Sequence, residues 1–362
     1  MFDRLSPPPE PTDEQAWGEV ERFYLIGLGS RGQNALRQFG IWDQVEAVSV
    51  ATVGRKDWAP DADEGVERIF TDRKVQTQVL PRDKLVGVLH KHIVDNYSNQ
   101  IELHCGMEVQ PLDFGNSDQS SGKGKGKVYV RATECGEGVA ALTASEEKTS
   151  SEQQEDVLCD PSLGSTIISA DLLLAADGTV RTIANAIQEK EEMERKDMNP
   201  IQRLLAGPSF QVKRYPDDNR RIYKTIPIKV PADWRPDLNY SARSKGSRIV
   251  YDALPANKKG EYCGVLLLRE SDPLAKPNTN PSELRKAMDE ALPQFSAIID
   301  DDTIAKVAQK PPSYLPSFRY ITPRLNEGDK TLILGDCAHT VKPYFGLGAN
   351  SALEDVKVCR SC

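Results

Sequence analysis

Near the end of the chain an apolar run, Leu332-Ile333-Leu334, stops at Gly335-Asp336-Cys337-Ala338-His339, and Pro343-Tyr344-Phe345-Gly346-Leu347-Gly348-Ala349-Asn350 follows. No other feature constrains the fold as much. A short apolar run bounded by glycine reads as a buried strand, which here delivers an aspartate at its carboxyl end. The Pro-x-x-Gly-x-Gly turn then enters a helix. Its glycines let the backbone approach a planar ligand closely, and the helix start beyond them offers unpaired amides with a partial positive charge. A carboxylate beside such a turn accepts hydrogen bonds from ligand hydroxyls. The segment therefore calls for an α/β domain that holds a ligand at its strand ends.

Two further segments have the same character. The nearly continuous apolar run at residues 167–176 ends at Asp177-Gly178, as a buried strand ends at a ligand-facing turn. Leu80-Pro81-Arg82-Asp83-Lys84-Leu85 opens a helix whose apolar positions Leu85, Val88, Leu89 and Ile93 repeat at helical spacing. Residues 23–26 favour a strand, residues 31–39 read as a helix ending at Gly40, and residues 101–104 and 128–131 read as strands. Residues 1–18, rich in Pro, Asp and Glu with no apolar period, are expected to be a disordered lead-in. Loop insertions are expected near 115–127 and 143–165. From residue 200 to about 314 the texture changes to prolines, aromatics and short β-rich runs at 222–228, 248–254 and 263–268, then a helix at 282–292. An antiparallel sheet domain fits this stretch.

Gly-Asp-x-Ala-His followed by Pro-x-x-Gly-x-Gly-x-Asn resembles the second flavin motif of the class A FAD-dependent aromatic monooxygenases. That resemblance implies an α/β fold: an incomplete Rossmann-like FAD-binding domain of the p-hydroxybenzoate hydroxylase type, with an inserted antiparallel β-sheet substrate domain. The flavin domain is expected over 19–50, 78–199 and 320–362, and the substrate domain over 51–77 and 200–319. Asp336 is implied to bind the ribityl chain, and Pro343, Gly346, Leu347, Gly348, Ala349 and Asn350 to border the isoalloxazine ring. Asp177 and Gly178 are similar to the family's Asp-Gly motif near the pyrophosphate. The Ser-x-x-Arg that often follows is present only as Thr179-Val180-Arg181. Arg82 is similar to the arginine of the family's Arg-x-x-Leu helix start, which contacts phosphate and ribityl groups.

Residues 23–36, Tyr251-Asp252-Ala253-Leu254-Pro255 and Pro343-Tyr344-Phe345-Gly346 resemble the kynurenine 3-monooxygenase-like group in particular. By that resemblance NADPH, or NADH, reduces FAD, and O2 forms a flavin C4a-hydroperoxide that hydroxylates an electron-rich, kynurenine-like aromatic substrate near Tyr344 and Phe345. Arg55 offers a bidentate fork to a substrate carboxylate, or is simply a surface arginine. The family's first strand, its dinucleotide fingerprint and its acidic residue for the adenosine ribose are expected ahead of residue 20 and are not found there. The C-terminal helices are likewise expected to be missing. A non-catalytic truncated paralogue and a related flavoprotein reductase or epoxidase are the alternatives.

Gly27-Leu28-Gly29-Ser30-Arg31-Gly32 satisfies Gly-x-Gly-x-x-Gly, yet no acidic residue ends a strand about 20 residues on, so it reads as an ordinary strand-to-helix turn. A formal charge of −8 argues against a nucleic-acid partner. No run reaches the roughly 18 apolar residues of a membrane span, so a soluble protein is expected, and seven cysteines without a disulfide rhythm point to a reducing, intracellular compartment. No metal site is expected: His90 and His92 are two apart on a helix and point to different faces, and Cys359-Arg360-Ser361-Cys362 lacks a second ligand pair.

Overall fold

The computed structural model describes residues 1–13, 24–115, 126–135, 164–216, 220–343 and 346–360. The expected loop insertions fall largely outside the described residues, as do Tyr344 and Phe345. The chain packs as two units, one formed by Met1–Pro7, Ser98–Asp217 and Pro316–Cys362, the other by Pro8–Tyr97 and Asp218–Leu315. Among the described residues, no helix is long and apolar enough to cross a membrane.

The first unit opens on a strand, where a disordered lead-in was expected. β1 (Phe2–Asp3) pairs in parallel with β7 (His104–Cys105), and the Phe2 and His104 rings stack with centroids 4.6 Å apart. Next, β8 (Met107–Asp113), β9 (Val128–Glu134) and β10 (Ser165–Ala170) form an antiparallel sheet in the order β10-β9-β8. β11 (Leu173–Ala175) pairs in parallel with β20 (Thr331–Ile333), which also pairs with β19 (Asn326–Glu327). β12 (Gln211–Arg214), β18 (Arg319–Thr322) and β21 (His339–Thr340) make a last antiparallel sheet. Helices α4 (Thr182–Lys196), α5 (Pro200–Leu205) and α9 (Leu347–Cys359) complete the described part of the unit.

The apolar run at 167–176 is not one buried strand. It divides between β10 and β11, which belong to different sheets, because Asp171 in its middle turns out to water beside Lys127 Nζ at 3.6 Å. Ile167 is consequently 63% exposed, and only Ala175 at the far end is buried. The core lies under the ends of β11 and β20, where Ile183, Ala184 and Ile187 of α4 meet Phe210, Ile321, Ile333 and Cys337. Ile183 and Ile187 are four apart, so they share one helix face. Burying each is worth roughly 1.5–3 kcal/mol.

The second unit contains the expected sheet, antiparallel at every strand pairing but one. Its seven strands run β17-β13-β16-β15-β14-β4-β5, from β17 (Ser313–Tyr314) through β13 (Arg221–Lys229), β16 (Glu261–Arg269), β15 (Val250–Pro255) and β14 (Leu238–Arg243) to β4 (Gly54–Trp58) and β5 (Val66–Ile69). β13 shows the period of two, with Ile222, Lys224, Ile226 and Ile228 all buried. That face packs against α6 (Pro281–Ala291), α7 (Pro293–Ser296) and α8 (Asp301–Gln309), through Leu284, Met288, Phe295, Ile304 and Val307. The Phe295 ring meets Tyr251 edge-on at 4.6 Å. Tyr251 lies so flat against β16 that a Cβ at residue 264 would collide with its ring and hydroxyl, which is why that position is glycine. Lys224 is buried on the same face, and its Nζ donates to the Lys276 carbonyl at 3.0 Å and the Ala308 carbonyl at 3.4 Å.

A smaller sheet, β2 (Leu25–Leu28), β6 (Thr77–Pro81) and β3 (Val50–Thr52), carries α1 (Ser30–Gln38), α2 (Trp42–Ala47) and α3 (Arg82–Tyr97). β2 runs antiparallel to β6. A dinucleotide fingerprint sits between parallel strands, so the glycines at 27–32 shape an ordinary turn here.

Candidate functional site

In the first unit, two parallel strands end side by side and their following turns are locked together. Leu334 N–H donates to the Ala175 carbonyl at 2.9 Å, bringing Asp177-Gly178 and Gly335-Asp336 to one edge. Gly178 and Gly335 both have left-handed φ, +69° in each case, a conformation glycine adopts without penalty. Arg181 fastens the two turns. It is 1% exposed, and its guanidinium donates to the carbonyls of Thr179 (2.7 Å), Asp336 (2.7 Å) and Cys337 (3.2 Å) and to the Thr340 hydroxyl. Its own φ of +59° is costly for a side chain with a Cβ. Hydrogen bonds from a buried charge, each worth roughly 1.5–3 kcal/mol, outweigh that strain.

Asp177 Oδ2 accepts from the Ile183 amide at 3.1 Å and so caps the start of α4. Its Oδ1 is shut away from solvent and has no hydrogen-bond partner among the described residues. The neighbouring Cys337 thiol is pushed up to about 12, by burial first and then by the Asp177 carboxylate. It donates to the carbonyls of Leu334 at 2.8 Å and Ala175 at 3.1 Å, so it is a buried structural thiol and not a nucleophile.

The start of α9 closes the other side. Gly346 N–H donates to the Pro343 carbonyl at 3.0 Å, and Gly346 takes the left-handed N-cap conformation at φ +61°. The amides of Leu347, Gly348 and Ala349 form the first helical turn, where no intrahelical acceptor is available. Asn350, 6% exposed, donates back to the Gly346 carbonyl at 2.6 Å and fixes the turn. Asp336 Oδ1 lies 3.6 Å from the point where a side chain on Gly348 would begin. The carboxylate thus rests against the positive end of the helix.

Asp355, two turns along α9, ties the far side. One of its oxygens meets both the Gly335 N–H at 2.9 Å and His339 Nε2 at 2.7 Å. His339 therefore has a bracing role, as its place in the turn suggests. Gly348, Ala352 and Asp355 are spaced four and three apart, so they share the helix face that packs on this turn.

The structure gathers Asp177, Gly178, Asp336, Pro343, Gly346, Leu347, Gly348, Ala349 and Asn350 within this unit. Arg82 and Arg55 belong to the second unit. Arg82 opens α3, its amide bonded to the Tyr24 carbonyl at 2.8 Å, and its guanidinium makes two hydrogen bonds to Asp83 Oδ1, at 2.8 and 2.6 Å. Arg55 Nε donates to Asp57 Oδ1 at 2.7 Å, so one edge of its fork is already occupied. Asp3, outside every motif, ends a strand of a parallel pair and accepts from the Leu5 amide at 2.9 Å. Its signal was the Phe2-Asp3 alternation of apolar and acidic residues, hidden by the prolines that follow.

No family model matches the chain. It is 24% identical over 359 residues to a protein named kynurenine 3-monooxygenase from Salinispora tropica, an alignment covering 97% of this chain and 65% of that relative. A Saccharomyces cerevisiae protein of the same name is 29% identical over 104 residues, 28% of this chain and 22% of its own. The chain thus spans 65% of the length of the Salinispora relative. Among solved structures, 2-methyl-3-hydroxypyridine-5-carboxylic acid oxygenase superposes with a TM-score of 0.59 at 14% identity, covering 97% of this chain and 72% of that one. A point variant of Klebsiella pneumoniae HpxO, complexed with FAD, superposes with a TM-score of 0.56 at 15% identity, covering 94% and 72%. The fold is the p-hydroxybenzoate hydroxylase-like fold of the FAD-binding monooxygenases, and the resemblance to kynurenine 3-monooxygenases extends along nearly the whole chain.

Proposed function

We propose that this chain acts in FAD-dependent monooxygenation, hydroxylating a kynurenine-like aromatic substrate with NADPH or NADH as reductant and O2 as oxidant. The observation that carries the reading is the Asp336 carboxylate resting against the glycine-lined start of α9, its own main-chain carbonyl held by Arg181. That arrangement fits a flavin. Asp336 would accept hydrogen bonds from ribityl hydroxyls, and the amides of Leu347, Gly348 and Ala349 would face the pyrimidine edge of the ring. The buried Asp177 Oδ1 offers an acceptor to the nucleotide part, and Asp3 a carboxylate to a ribose. When bound, the flavin supplies the redox chemistry and the oxygen transfer.

The protein's share is positional. The start of α9 would stabilise negative charge on a bound ring, because its partial positive charge is fixed before any ligand arrives. Arg181 and Asp355 keep that turn from relaxing. In the second unit, Arg55 would take a substrate carboxylate with the part of its fork that Asp57 leaves open. The test is NADPH and NADH oxidation by the FAD-supplemented protein with L-kynurenine and a panel of phenols, with products identified by mass. Stimulation by kynurenine with a gain of one oxygen atom is expected. If no aromatic compound stimulates oxidation, the hydroxylase reading is wrong.

A further inference from the structure

The second unit holds a cavity of about 180 Å³ at one end of its large sheet. β4 and β14 run parallel and side by side, with Trp58 opposite Ala242, so the turns that follow them leave from the same end. One turn passes through Asp61 towards β5, and the other, residues 244–249, returns the chain into β15. Ala287, Glu290 and Ala291, on one face of α6, close the space beside them. Arg55 stands near the opening end of β4, so the cavity is separate from the place where that arginine would take a substrate carboxylate.

The 244–249 turn supplies donors. Ser244 and Ile249 bond twice, the Ser244 N–H to the Ile249 carbonyl and the Ile249 N–H to Ser244 Oγ, each at 2.9 Å. The Ser244 oxygen is in use as an acceptor, and its proton is left for another partner. Arg248 is fixed from one side: its Nε and Nη2 donate to the two oxygens of Asp272, at 2.7 and 3.1 Å, and the Asp272 side chain is only 5% exposed. Its Nη1 takes no part in that pair. Lys245 lines the cavity and has no ion pair among the described residues.

The other wall has the opposite sign. The Asp61 carboxylate has no hydrogen bond or ion pair among the described residues, and Asp61 is held at φ +59°. Glu290 has Lys286 at 3.9 Å, an exposed pair that competes weakly with a ligand, and its charge reaches Arg248. A bare anion drawn to the basic turn would therefore meet two carboxylates, and a bare cation would meet Lys245 and Arg248. A molecule with both charges on neighbouring atoms satisfies both walls. The volume sets its size. It is below the roughly 300–1,000 Å³ of pockets for drug-sized ligands and close to the roughly 150 Å³ that takes benzene.

We propose that this cavity binds a small free α-amino acid, its carboxylate held by Ser244, Lys245 and Arg248, its ammonium by Asp61 and Glu290, and its side chain laid on the alanines of α6. Such a ligand ties the two turns together. The proposal does not depend on the flavin reading, and its test needs no FAD.

The test is an NMR titration of the full chain with L-valine and two analogues that each lack one charge, isovalerate without the ammonium and isobutylamine without the carboxylate. Saturable shifts of the 244–249 amides are expected with valine, and each analogue should bind at least about 10-fold more weakly. Lys245→Met and Asp61→Asn should each weaken valine about 3-fold or more, as expected for single exposed charges. Both positions are exposed turn residues, and asparagine accepts a left-handed φ as aspartate does, so both variants are expected to fold. No saturable shift with valine, shifts confined to other residues, or equal binding of the three compounds overturns the proposal. So does a valine affinity that neither substitution changes.

Discussion

The turn cluster of the first unit and the large sheet of the second unit are built from different materials. Around Asp336 two carboxylates, Asp177 and Asp336, are set in a frame of main chain: the first amides of α9, the left-handed glycines 178, 335 and 346, and the carbonyls that Arg181 holds in place. On the sheet, the groups that could meet a ligand are side chains at alternate positions of β4, β14, β15 and β16, with a regular backbone beneath them. A site made of backbone needs particular residues in particular order, and so it leaves a motif. One made of side chains on a regular sheet can change residue by residue and leaves none. Under the proposed function, the difference separates a site for a constant ligand from a surface that can be retuned for a varying one.

The largest effect is expected at the fastening of the first site. Arg181→Met leaves the carbonyls of Thr179, Asp336 and Cys337 without their buried donor, and should cost about 3 kcal/mol or more in a urea unfolding experiment. A loss below about 1 kcal/mol would mean that the two turns hold without the guanidinium, and the contrast between the sites would weaken. A smaller effect is expected from Gly264→Ala. The added methyl meets Tyr251, which must move within the core, at about 1–3 kcal/mol. Combining it with Tyr251→Leu should recover part of the loss, a non-additivity measurable by the same melts. Full additivity would show that the close approach of Tyr251 does not set the sheet's geometry.

The sequence made the backbone-built part legible because its signals are local. The strand at Thr331–Ile333, the helix opening at Arg82 and the helix at Pro281–Ala291 all follow from apolar spacing and Pro or Gly punctuation within a few residues. The run at 167–176 misled for a physical reason. Apolar continuity cannot show that Asp171 seeks water and divides the run between two sheets. Asp3 was obscured because its strand is two residues long and its partner lies about a hundred residues away. The placing of Asn239 beside Arg55 and of Ser241 beside Asp252 was invisible for a third reason, because it depends on strand register that no local pattern encodes.

The central claim is that the Asp336 turn is shaped for a flavin. The most direct measurement is titration of the purified chain with FAD, followed by quenching of flavin fluorescence, for the wild-type protein and Asp336→Asn. Saturable binding weakened at least about 10-fold by the substitution, with the melting transition unchanged, is the predicted result. No saturable binding to the wild-type chain, or equal affinity for both proteins, would contradict it.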